Sequence, residues 1–459
     1  MWKPENVSPL GPVYLAIADA LARDISSGRL ESGERLPTHR ALARDLNVNV
    51  VTITRAYQEA ARRGLVDGEV GRGTFVRERE ERVLPGMPID GEDASVVDFN
   101  FNVPKGDHDL LDVPGAFREL AADPGLAHLA TGYSPRGFDE HRRAGAEWIA
   151  RTGLEAAADR TLVTAGLQHA MATVFATVLE PGDTLLVEEL TYPGVKALAS
   201  LLHLKLAPLR MDDEGVLPDA FELACKKGVA RAAYLQPTIH NPTAIVLPEE
   251  RRVRIAELAE RYSIPVIEDD TGGYLCPDAP LPIAARLPEH GYFLAGTSKS
   301  IAAGLRIGYV HAPASAVERI TANIAATTWM APPLMAELAA RWVRDGSADA
   351  MAQWKRDEAA ARREIFSRHL GHLAVKAHPG SSHVWMPLPA PWRGEDFVAQ
   401  ARRAGVAPTP ADPFVVGRAN APHAVRLALG RPPERSEVER GVRALAEILS
   451  GAPTCPSIV

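Results

Sequence analysis

The chain has 459 residues, of which 46% are hydrophobic and 24% are charged, so a fibre, a disulfide-rich scaffold and a wholly disordered chain are excluded. Its length has room for two or three domains, and three widely spaced cysteines without a CxxC pair predict neither a disulfide framework nor a metal site. The net charge of −7 argues against a nucleic-acid-binding function for the chain as a whole.

The first 77 residues are predicted to form a small basic module. They hold 11 basic and 9 acidic side chains, whereas the remaining residues hold 40 basic and 49 acidic ones. Three helices followed by a β-hairpin are typical of a winged helix-turn-helix, whose third helix enters the major groove of DNA. The apolar periodicity predicts this order, with helices over Val13–Ser26, Thr38–Leu46 and Asn49–Arg63 and strands over Leu65–Val70 and Thr74–Val76.

Six polar side chains of this module fall where such a domain touches DNA. Five lie on or near the start of the third helix, and the sixth lies at the tip of the hairpin: Arg40, Asn49, Thr52, Thr54, Arg55 and Arg72. The segments RLPTHRALA and VGRGTFV resemble the head of GntR-type regulators, and the resemblance covers residues 8–77. It implies that all of these side chains except Arg55 match DNA-contacting positions. We call residues 8–77 the head.

A linker and a larger body are predicted to follow the head. In residues 78–96, charged residues, Pro and Gly replace any helical or strand periodicity, which is typical of a linker. In residues 97–452, short β-rich runs alternate with helical segments, so we predict an α/β body with a mostly parallel sheet. Long helices and an α+β end predict a smaller second lobe over roughly residues 331–452.

Several predicted strands of the body are followed by polar or glycine-rich segments, at the edge where open α/β sheets bind ligands. In TAGLQHA, Gly166 opens a helix with Leu167 and Gln168, so backbone N–H groups face an anion such as a phosphate. Tyr192 in TYPG offers a ring that could stack on a heteroaromatic cofactor, and Asn241 in HNPTA offers an amide donor. Each of these residues alone is also compatible with a purely structural role.

Charged residues complete the set. Asp269 ends the apolar strand VIEDD, where a carboxylate needs a cationic partner such as a protonated pyridine nitrogen. In GTSKSIAAGLRIGY, Lys299 follows a strand, and a lysine there can form a Schiff base with an aldehyde. The same segment offers groups that can hold a phosphate, namely Thr297, Ser298 and Arg306. Arg426 lies within the apolar strand of HAVRLALG, where a clamp on a substrate carboxylate and a structural ion pair are both possible.

In chain order these residues resemble the fold-type I aminotransferases, which use pyridoxal 5'-phosphate (PLP), and the similarity covers residues 97–452. Members of this family form dimers, so the resemblance implies a dimer in which Tyr133 of a YxxxG element reaches the phosphate bound by the partner subunit. It also implies the other roles. The amides after Gly166 and the Arg306 side chain would bind the phosphate, Tyr192 would stack on the ring, and Asn241 would contact the ring oxygen. Asp269 would pair with the pyridinium nitrogen, and Lys299 would form the aldimine.

Two departures from the family pattern concern the cofactor. Relatives usually place a tyrosine two or three residues after the aspartate, but here Thr271, Gly272 and Gly273 stand before Tyr274. The position three before the lysine is commonly Ser and is Gly296 here, so Thr297 or Ser298 must replace its hydroxyl. We therefore predict that the cofactor is bound but that turnover is inefficient, although an aminotransferase-like half-reaction stays open.

The whole layout, a GntR-type head joined by a linker to an aminotransferase-like body, resembles the MocR subfamily of bacterial transcription regulators. The resemblance implies a homodimer that binds operator DNA and senses an amino-acid or amine effector by external aldimine formation, with Arg426 binding an effector carboxylate. Two alternatives stay open, an active aminotransferase and a regulator that senses PLP itself. No apolar run approaches ~20 residues and no secretory signal is visible, so we expect a cytoplasmic protein without a membrane partner.

Overall fold

The computed structural model describes residues 2–4, 13–26, 29–30, 33–62, 65–69, 73–76, 96–106, 108–417 and 421–451. The chain forms two compact units, one of which contains residues 13–76 and the other residues 96–198 and 206–451. Within the part of the chain that is described, no helix has the length and apolar character needed to cross a membrane.

The head consists of three helices and an antiparallel hairpin: α1 Val13–Ser26, α2 His39–Asp45, α3 Val50–Arg62, β1 Val66–Glu69 and β2 Gly73–Val76. The second and third helices each begin one residue later than predicted, because the residue before each helix acts as its cap. The Thr38 hydroxyl accepts the N–H of Ala41 at 3.3 Å, and the Asn49 side-chain oxygen accepts the N–H of Val51 at 2.9 Å. The predicted winged helix-turn-helix is confirmed.

The strands of the body are β3 Val97–Asp98, β4 Thr161–Thr164, β5 Thr184–Glu188, β6 Lys205–Leu209, β7 Met211–Asp212, β8 Gly215–Val216, β9 Ala230–Leu235, β10 Val266–Asp270, β11 Gly291–Gly296, β12 Gly308–His311, β13 Lys376–Ala377, β14 Val384–Pro387, β15 Val406–Ala407, β16 Thr409–Pro410 and β17 Ala424–Leu427. Its α-helices are α4 His108–Leu111, α5 Val113–Ala122, α6 Leu126–Thr131, α7 Asp139–Ala150, α8 Leu167–Val178, α9 Pro193–Leu201, α10 Pro218–Lys226, α11 Glu249–Tyr262, α12 Val317–Thr328, α13 Pro333–Arg344, α14 Ser347–Leu370, α15 Gly394–Arg403 and α16 Arg435–Ser450.

A seven-stranded sheet forms the centre of the large lobe, in the order β4-β12-β11-β10-β9-β5-β6. Strand β10 runs parallel to β9 and β11, β5 runs parallel to β9, and β12 is antiparallel to both of its neighbours. Every residue of β4, β10, β11 and β12 is buried, which explains why these segments are apolar runs rather than alternating ones. The parallel strands therefore present their carboxyl ends at one edge of the sheet.

The small lobe contains an antiparallel four-stranded sheet in the order β13-β14-β17-β16. Its core combines residues of β14, β17, α15 and α16 with Val97 and Phe99 from the start of the body, and β3 pairs in parallel with β15. Helix α13 packs instead into the core of the large lobe, where Trp342 and Trp148 are both buried. The start of the body, at Val97 and Phe99, therefore packs in the small lobe, whereas α13 packs in the large lobe.

Candidate functional site

Most of the predicted site residues of the body lie at or after the carboxyl ends of β4, β5, β9, β10 and β11, which all point the same way. Local sequence explains this placement, because each strand is an apolar run that stops at a polar or glycine-rich segment. The sheet therefore collects at one edge groups that are far apart in the chain, from Gly166 to Arg306, and the small lobe adds Arg426 from β17.

One end of the site has the features of a phosphate cradle. Gly166 has φ +84° and directly precedes α8, so the first amides of that helix are open to a ligand. A Cβ atom on Gly166 would lie 2.8 Å from Nη2 of Arg306, and residues with a side chain rarely adopt the φ of this position, so glycine suits the approach of the guanidinium to the helix start. Arg306 also donates to the Ser298 hydroxyl at 3.4 Å. Together these groups can surround an anion.

The two hydroxyls that could replace the missing serine differ in their contacts. The Thr297 side chain is fully buried and its hydroxyl donates to the carbonyl of Ile307 at 2.9 Å, so its hydrogen is already used. The Ser298 hydroxyl is only partly buried and contacts Arg306. Of the two, Ser298 is therefore the hydroxyl that can donate to a phosphate.

Asp269 is buried at the carboxyl end of β10, with one oxygen held and the other left open. Its Oδ2 accepts hydrogen bonds from the Tyr234 hydroxyl at 2.5 Å and from Nε2 of Gln236 at 2.8 Å. Its Oδ1 is buried and has no hydrogen-bond partner among the described residues. Burial raises the pKa of Asp269, and the bonds from Tyr234 and Gln236 oppose that rise. A cationic donor at Oδ1 would complete this carboxylate.

Tyr234 and Gln236 were not predicted as site residues. They stand two positions apart at the end of β9, next to β10, so both side chains reach the face on which Asp269 lies. Gln236 also donates its backbone N–H to Glu188 at 2.7 Å and accepts the N–H of Asn241 at 3.4 Å through its side-chain oxygen. The polar residues in YLQ, directly beside VIEDD in the sheet, are the signal that could have identified them.

Arg426 is buried and lies beside Asn241. Its Nη1 donates to Oδ1 of Asn241 at 2.9 Å, and its Nη2 donates to the carbonyl of Asn100 and to the Thr409 hydroxyl. Within the described residues, no salt bridge reaches Arg426, and its Nε has no partner. Burial lowers the pKa of Arg426 to about 10. The sequence left open whether Arg426 forms a structural ion pair or binds a carboxylate of a ligand. Within the described residues, Arg426 is a buried cation without an ion-pair partner.

Lys299 follows β11 and is surrounded by positive charge. Burial, followed by the charges of Arg426, Lys355 and Arg306, lowers the pKa of Lys299 to about 7, while Asp269 opposes this shift. Lys355 itself is buried on α14 and donates to the carbonyl of Ile301 at 2.8 Å. A large share of Lys299 is thus the neutral amine near pH 7, which is the form that attacks an aldehyde.

The two predicted tyrosines lie in different surroundings. Tyr192 packs over Gly194, where a Cβ atom would lie 2.2 Å from the ring, and Gln168 donates to the Gly194 carbonyl at 3.1 Å. Burial raises the pKa of Tyr192, and the charges of Asp269, Arg426 and Arg306 also act on it, so its ring lies within the cluster of site residues. Tyr133 is instead 54% exposed and packs edge-on against Trp329 at 5.8 Å between ring centroids.

The region after Asp269 explains the departure from the usual tyrosine. Tyr274 stacks on Trp148 at 4.2 Å in the large-lobe core, and its buried hydroxyl has no hydrogen-bond partner within the described part of the chain. A Cβ atom on Gly272 would lie 2.6 Å from the carbonyl oxygen of Thr238, so a side chain cannot be placed there without moving that loop. Thr271 lies close enough to Asp269 to oppose the rise in the pKa of that carboxyl.

The residues present fit PLP. The open Oδ1 of Asp269 matches a protonated pyridine nitrogen, and the Gly166 cradle with Arg306 matches a phosphate. Because Arg426 holds Oδ1 of Asn241, the amide nitrogen of Asn241 remains to donate to a ring oxygen. Among the described residues, no three acidic, histidine or cysteine side chains are grouped as a metal site requires.

In the head, the predicted DNA-contacting side chains differ in exposure. Arg40, Asn49 and Arg55 are exposed, and Thr52 is half-buried. The Thr54 hydroxyl donates to the carbonyl of Val50 at 3.0 Å, so its hydrogen is already used within the helix. Arg72, predicted at the tip of the hairpin, lies outside the described residues.

Two family models match the chain. The model described as aminotransferase class I and II matches residues 94–445, and the model described as bacterial regulatory proteins, gntR family, matches residues 13–76. The chain is 31% identical to the uncharacterized HTH-type transcriptional regulator YdeF of Bacillus subtilis (strain 168), over 98% of this chain and 96% of that protein. It is 26% identical to the vitamin B6 salvage pathway transcriptional repressor PtsJ of Salmonella typhimurium, over 81% of this chain and 84% of that protein.

Solved structures resemble the body. A kynurenine aminotransferase of Pyrococcus horikoshii is 23% identical with a TM-score of 0.71, over 78% of this chain and 92% of that one. LysN, an alpha-aminoadipate aminotransferase of Thermus thermophilus, is 24% identical with a TM-score of 0.69, over the same shares of both chains. These likenesses confirm the predicted fold class of the body, a fold-type I aminotransferase fold.

Proposed function

The chain belongs to the MocR type of GntR-family transcriptional regulators, with a PLP-binding body of the class I and II aminotransferase family, and on this premise we propose that the body senses an amino-acid or amine effector. In this proposal Lys299 holds PLP, the amino group of the effector competes with the lysine, and the change alters how the head binds operator DNA. The effector must have different affinities for two states of the body, because a ligand that binds both equally shifts nothing.

The contacts of the site support a role for each residue around the cofactor. PLP, when bound, supplies an aldehyde that reacts with primary amines, and the residues around it hold and orient it. We propose that the phosphate is bound at Gly166, Leu167, Gln168, Ser298 and Arg306, the ring at Tyr192, Asn241 and Asp269, and the aldehyde at Lys299. The open Oδ1 of Asp269 and the neutral amine of Lys299 near pH 7 support this assignment. Thr297 supports the loop through its bond to the carbonyl of Ile307.

One observation carries the choice of effector: Arg426 is a buried cation without a carboxylate partner among the described residues, and it is the first of the charges that act on Lys299. A buried guanidinium without an anion is costly, and a planar carboxylate matches its geometry. An effector whose amino group lies at Lys299 and whose carboxylate lies at Arg426 fulfils both requirements. We therefore propose an amino acid as the preferred effector class.

The same arginine offers a route from effector binding to a change of shape. Arg426 belongs to the small lobe and its partner Asn241 belongs to the large lobe, so their hydrogen bond of 2.9 Å joins the two lobes. A carboxylate that draws the guanidinium toward itself weakens this bond and changes the donor set around the cofactor. The proposed two states thus differ in whether Arg426 binds Asn241 or the effector.

We propose that sensing, rather than turnover, is the function of the body. A tyrosine that would support the cofactor ring is not available from the segment after Asp269, because Tyr274 lies in the core and Gly272 has no room for a side chain. Without that donor, proton transfer on a bound effector is expected to be slow. The likeness to a 2-aminoadipate transaminase of Thermus thermophilus, 27% identical over 70% of this chain and 82% of that protein, keeps an active enzyme as the second candidate.

The remaining proposals concern assembly. We propose that the head spans residues 8–77, the linker residues 78–96 and the body residues 97–452. We further propose a homodimer, in which the exposed Tyr133 reaches the phosphate of the partner subunit and two heads bind paired half-sites of an operator in the cytoplasm. Two heads on one dimer would match a site with two related halves.

A spectral titration tests the sensor. The PLP-loaded protein is titrated with amino acids and with the corresponding amines that lack the carboxylate, and both the visible absorbance and DNA binding are recorded. We expect amino acids to act at lower concentration than their amines, and Arg426→Gln to remove that advantage, about 30-fold or more, as for one partner of a buried charge pair. Arg443→Gln, an exposed arginine of the same lobe, is the matched control.

Three outcomes separate the candidates. Rapid multiple turnovers with a keto-acid acceptor would establish the aminotransferase and overturn the sensor. DNA binding that responds to PLP but to no amine would favour a regulator of cofactor supply, as the name of PtsJ indicates for that relative. An absorbance change and a DNA-binding change at the same amino-acid concentration, with little keto acid formed, would support the sensor.

A further inference from the structure

Helix α3 leaves two adjacent valines exposed at its N-terminal end. Val51 is 60% exposed and Val50 is 40% exposed, whereas the opposite side of the helix is buried in the head core through Ile53, Ala56, Tyr57 and Ala60. At 100° per residue, Val51 lies at the centre of the exposed side and Arg55 follows it one turn later. Branched apolar side chains gain little from such a position in water or from helix propensity. Their exposure therefore calls for a partner.

The surroundings of the valines favour DNA as that partner. Arg55 is exposed on the same helix one turn after Val51, so an apolar protein surface that covered the valines would also have to remove this guanidinium group from water. The DNA major groove instead offers phosphates along its rim and apolar thymine C5-methyl groups on its floor. An apolar centre with an arginine one turn away matches that groove.

The polar residues beside the valines are partly occupied by the helix itself. The Asn49 side-chain oxygen accepts the N–H of Val51 at 2.9 Å, and the Thr54 hydroxyl donates to the carbonyl of Val50 at 3.0 Å. These bonds fix the start of the helix and use hydrogen-bonding capacity that would otherwise read base edges. The amide nitrogen of Asn49 can still donate, and at Val50 and Val51 this first turn offers apolar contact as its form of readout.

We propose that Val51, with Val50 beside it, reads thymine by packing on its C5-methyl group. The proposal rests on the proposed function, since it requires that the head binds duplex DNA through α3. It adds residues that were not among the DNA-contacting candidates, and it predicts that the preferred operator contains thymine opposite the start of this helix. Losing one packed methyl group is expected to weaken binding about three- to tenfold.

The test uses the full PLP-loaded chain. Its preferred duplex is first selected from a random library, and each thymine of that duplex is then replaced singly by deoxyuridine, which lacks only the C5-methyl group. The dissociation constant of each duplex is measured by fluorescence anisotropy for the wild type, Val51→Ala and Val50→Ala. Val13→Ala, a valine of α1 that is 45% exposed, is the matched control.

We expect one or two thymines at which deoxyuridine weakens the wild type about three- to tenfold. At those positions Val51→Ala should bind both duplexes equally, while Val13→Ala should behave like the wild type. Binding that is sequence-specific but unaffected by deoxyuridine at every position overturns this inference and leaves the proposed function intact. Equal loss in the wild type and in both α3 variants also overturns it. If no duplex is selected at all, the proposed function itself fails.

Discussion

Covalent attachment of PLP to Lys299 should depend on pH with a midpoint near pH 7, because only the neutral amine attacks the aldehyde. With a pKa of about 7, roughly half of Lys299 is neutral at pH 7. At the ordinary pKa of 10.5, about one lysine in 3,000 would be neutral at that pH. The surroundings of Lys299 therefore raise the concentration of reactive amine at pH 7 by about a thousandfold.

The perturbation is to remove the neighbouring charges one at a time. Arg426→Gln keeps a donor for Asn241 but removes the largest of the charges that lower the pKa of Lys299, and Lys355→Met removes the next. Both should raise the pKa of Lys299, with the greater rise in Arg426→Gln. Each unit by which the pKa of Lys299 rises corresponds to about 1.4 kcal/mol. Once that pKa is well above 7, each further unit lowers the neutral fraction at pH 7 about tenfold.

The assay follows the absorbance of the lysine-bound cofactor after PLP-free protein is mixed with excess PLP, from about pH 5.5 to about pH 9, on either side of the pKa of Lys299. PLP itself titrates identically in every sample, so rates are compared between variants at each pH. The profile should shift to higher pH most in Arg426→Gln and less in Lys355→Met, with Arg443→Gln unchanged. A wild-type midpoint above about pH 9, or an unshifted profile in Arg426→Gln, would refute the reasoning.

Three further predictions follow from single contacts. Tyr234→Phe removes a donor to the Asp269 carboxylate, so the affinity for PLP should fall about tenfold or more, measured by equilibrium dialysis. Arg40→Ala should weaken DNA binding and reduce the slope of log affinity against log salt by about 1 if Arg40 contacts one phosphate, whereas the exposed Arg443→Ala in the body should not. Arg252→Met should lower the free energy of unfolding of the body by about 3–5 kcal/mol in urea denaturation, since buried Arg252 donates to the carbonyls of Leu247, Pro237 and Pro280 beside Glu268.

The local sequence pattern was sufficient to predict the strands and helices that position the site. The strand VIEDD is an apolar run that ends in carboxylates, and the structure has it as β10, which ends at Asp270. The helices of the head were predicted to within one or two residues, because Thr38 and Asn49 are strong capping residues. Such features depend on neighbours in the sequence, so a single sequence contains them.

Contacts between distant segments could not be predicted in the same way. The polar residues of YLQ stand out in the sequence, but the bonds of Tyr234 and Gln236 to Asp269 depend on the pairing of β9 with β10. The bond of Thr297 to the carbonyl of Ile307 likewise decides which hydroxyl can serve a phosphate, and it arises where the chain turns back after β11. Side-chain partners of this kind are set by tertiary packing.

The close packing of Gly272, after Asp269, affects the chemistry of the whole site. Gly272 lies so close to the carbonyl of Thr238 that a tyrosine cannot occupy its position, and that carbonyl belongs to the loop that also holds Asn241. In the proposed function Asn241 is the donor to the ring oxygen, and the orientation of its side chain depends on Arg426. On that proposal, a carboxylate that engages Arg426 acts on the cofactor through Asn241. The proposed link between recognition of an effector and the state of PLP is then a single hydrogen bond, the one from Arg426 to Asn241.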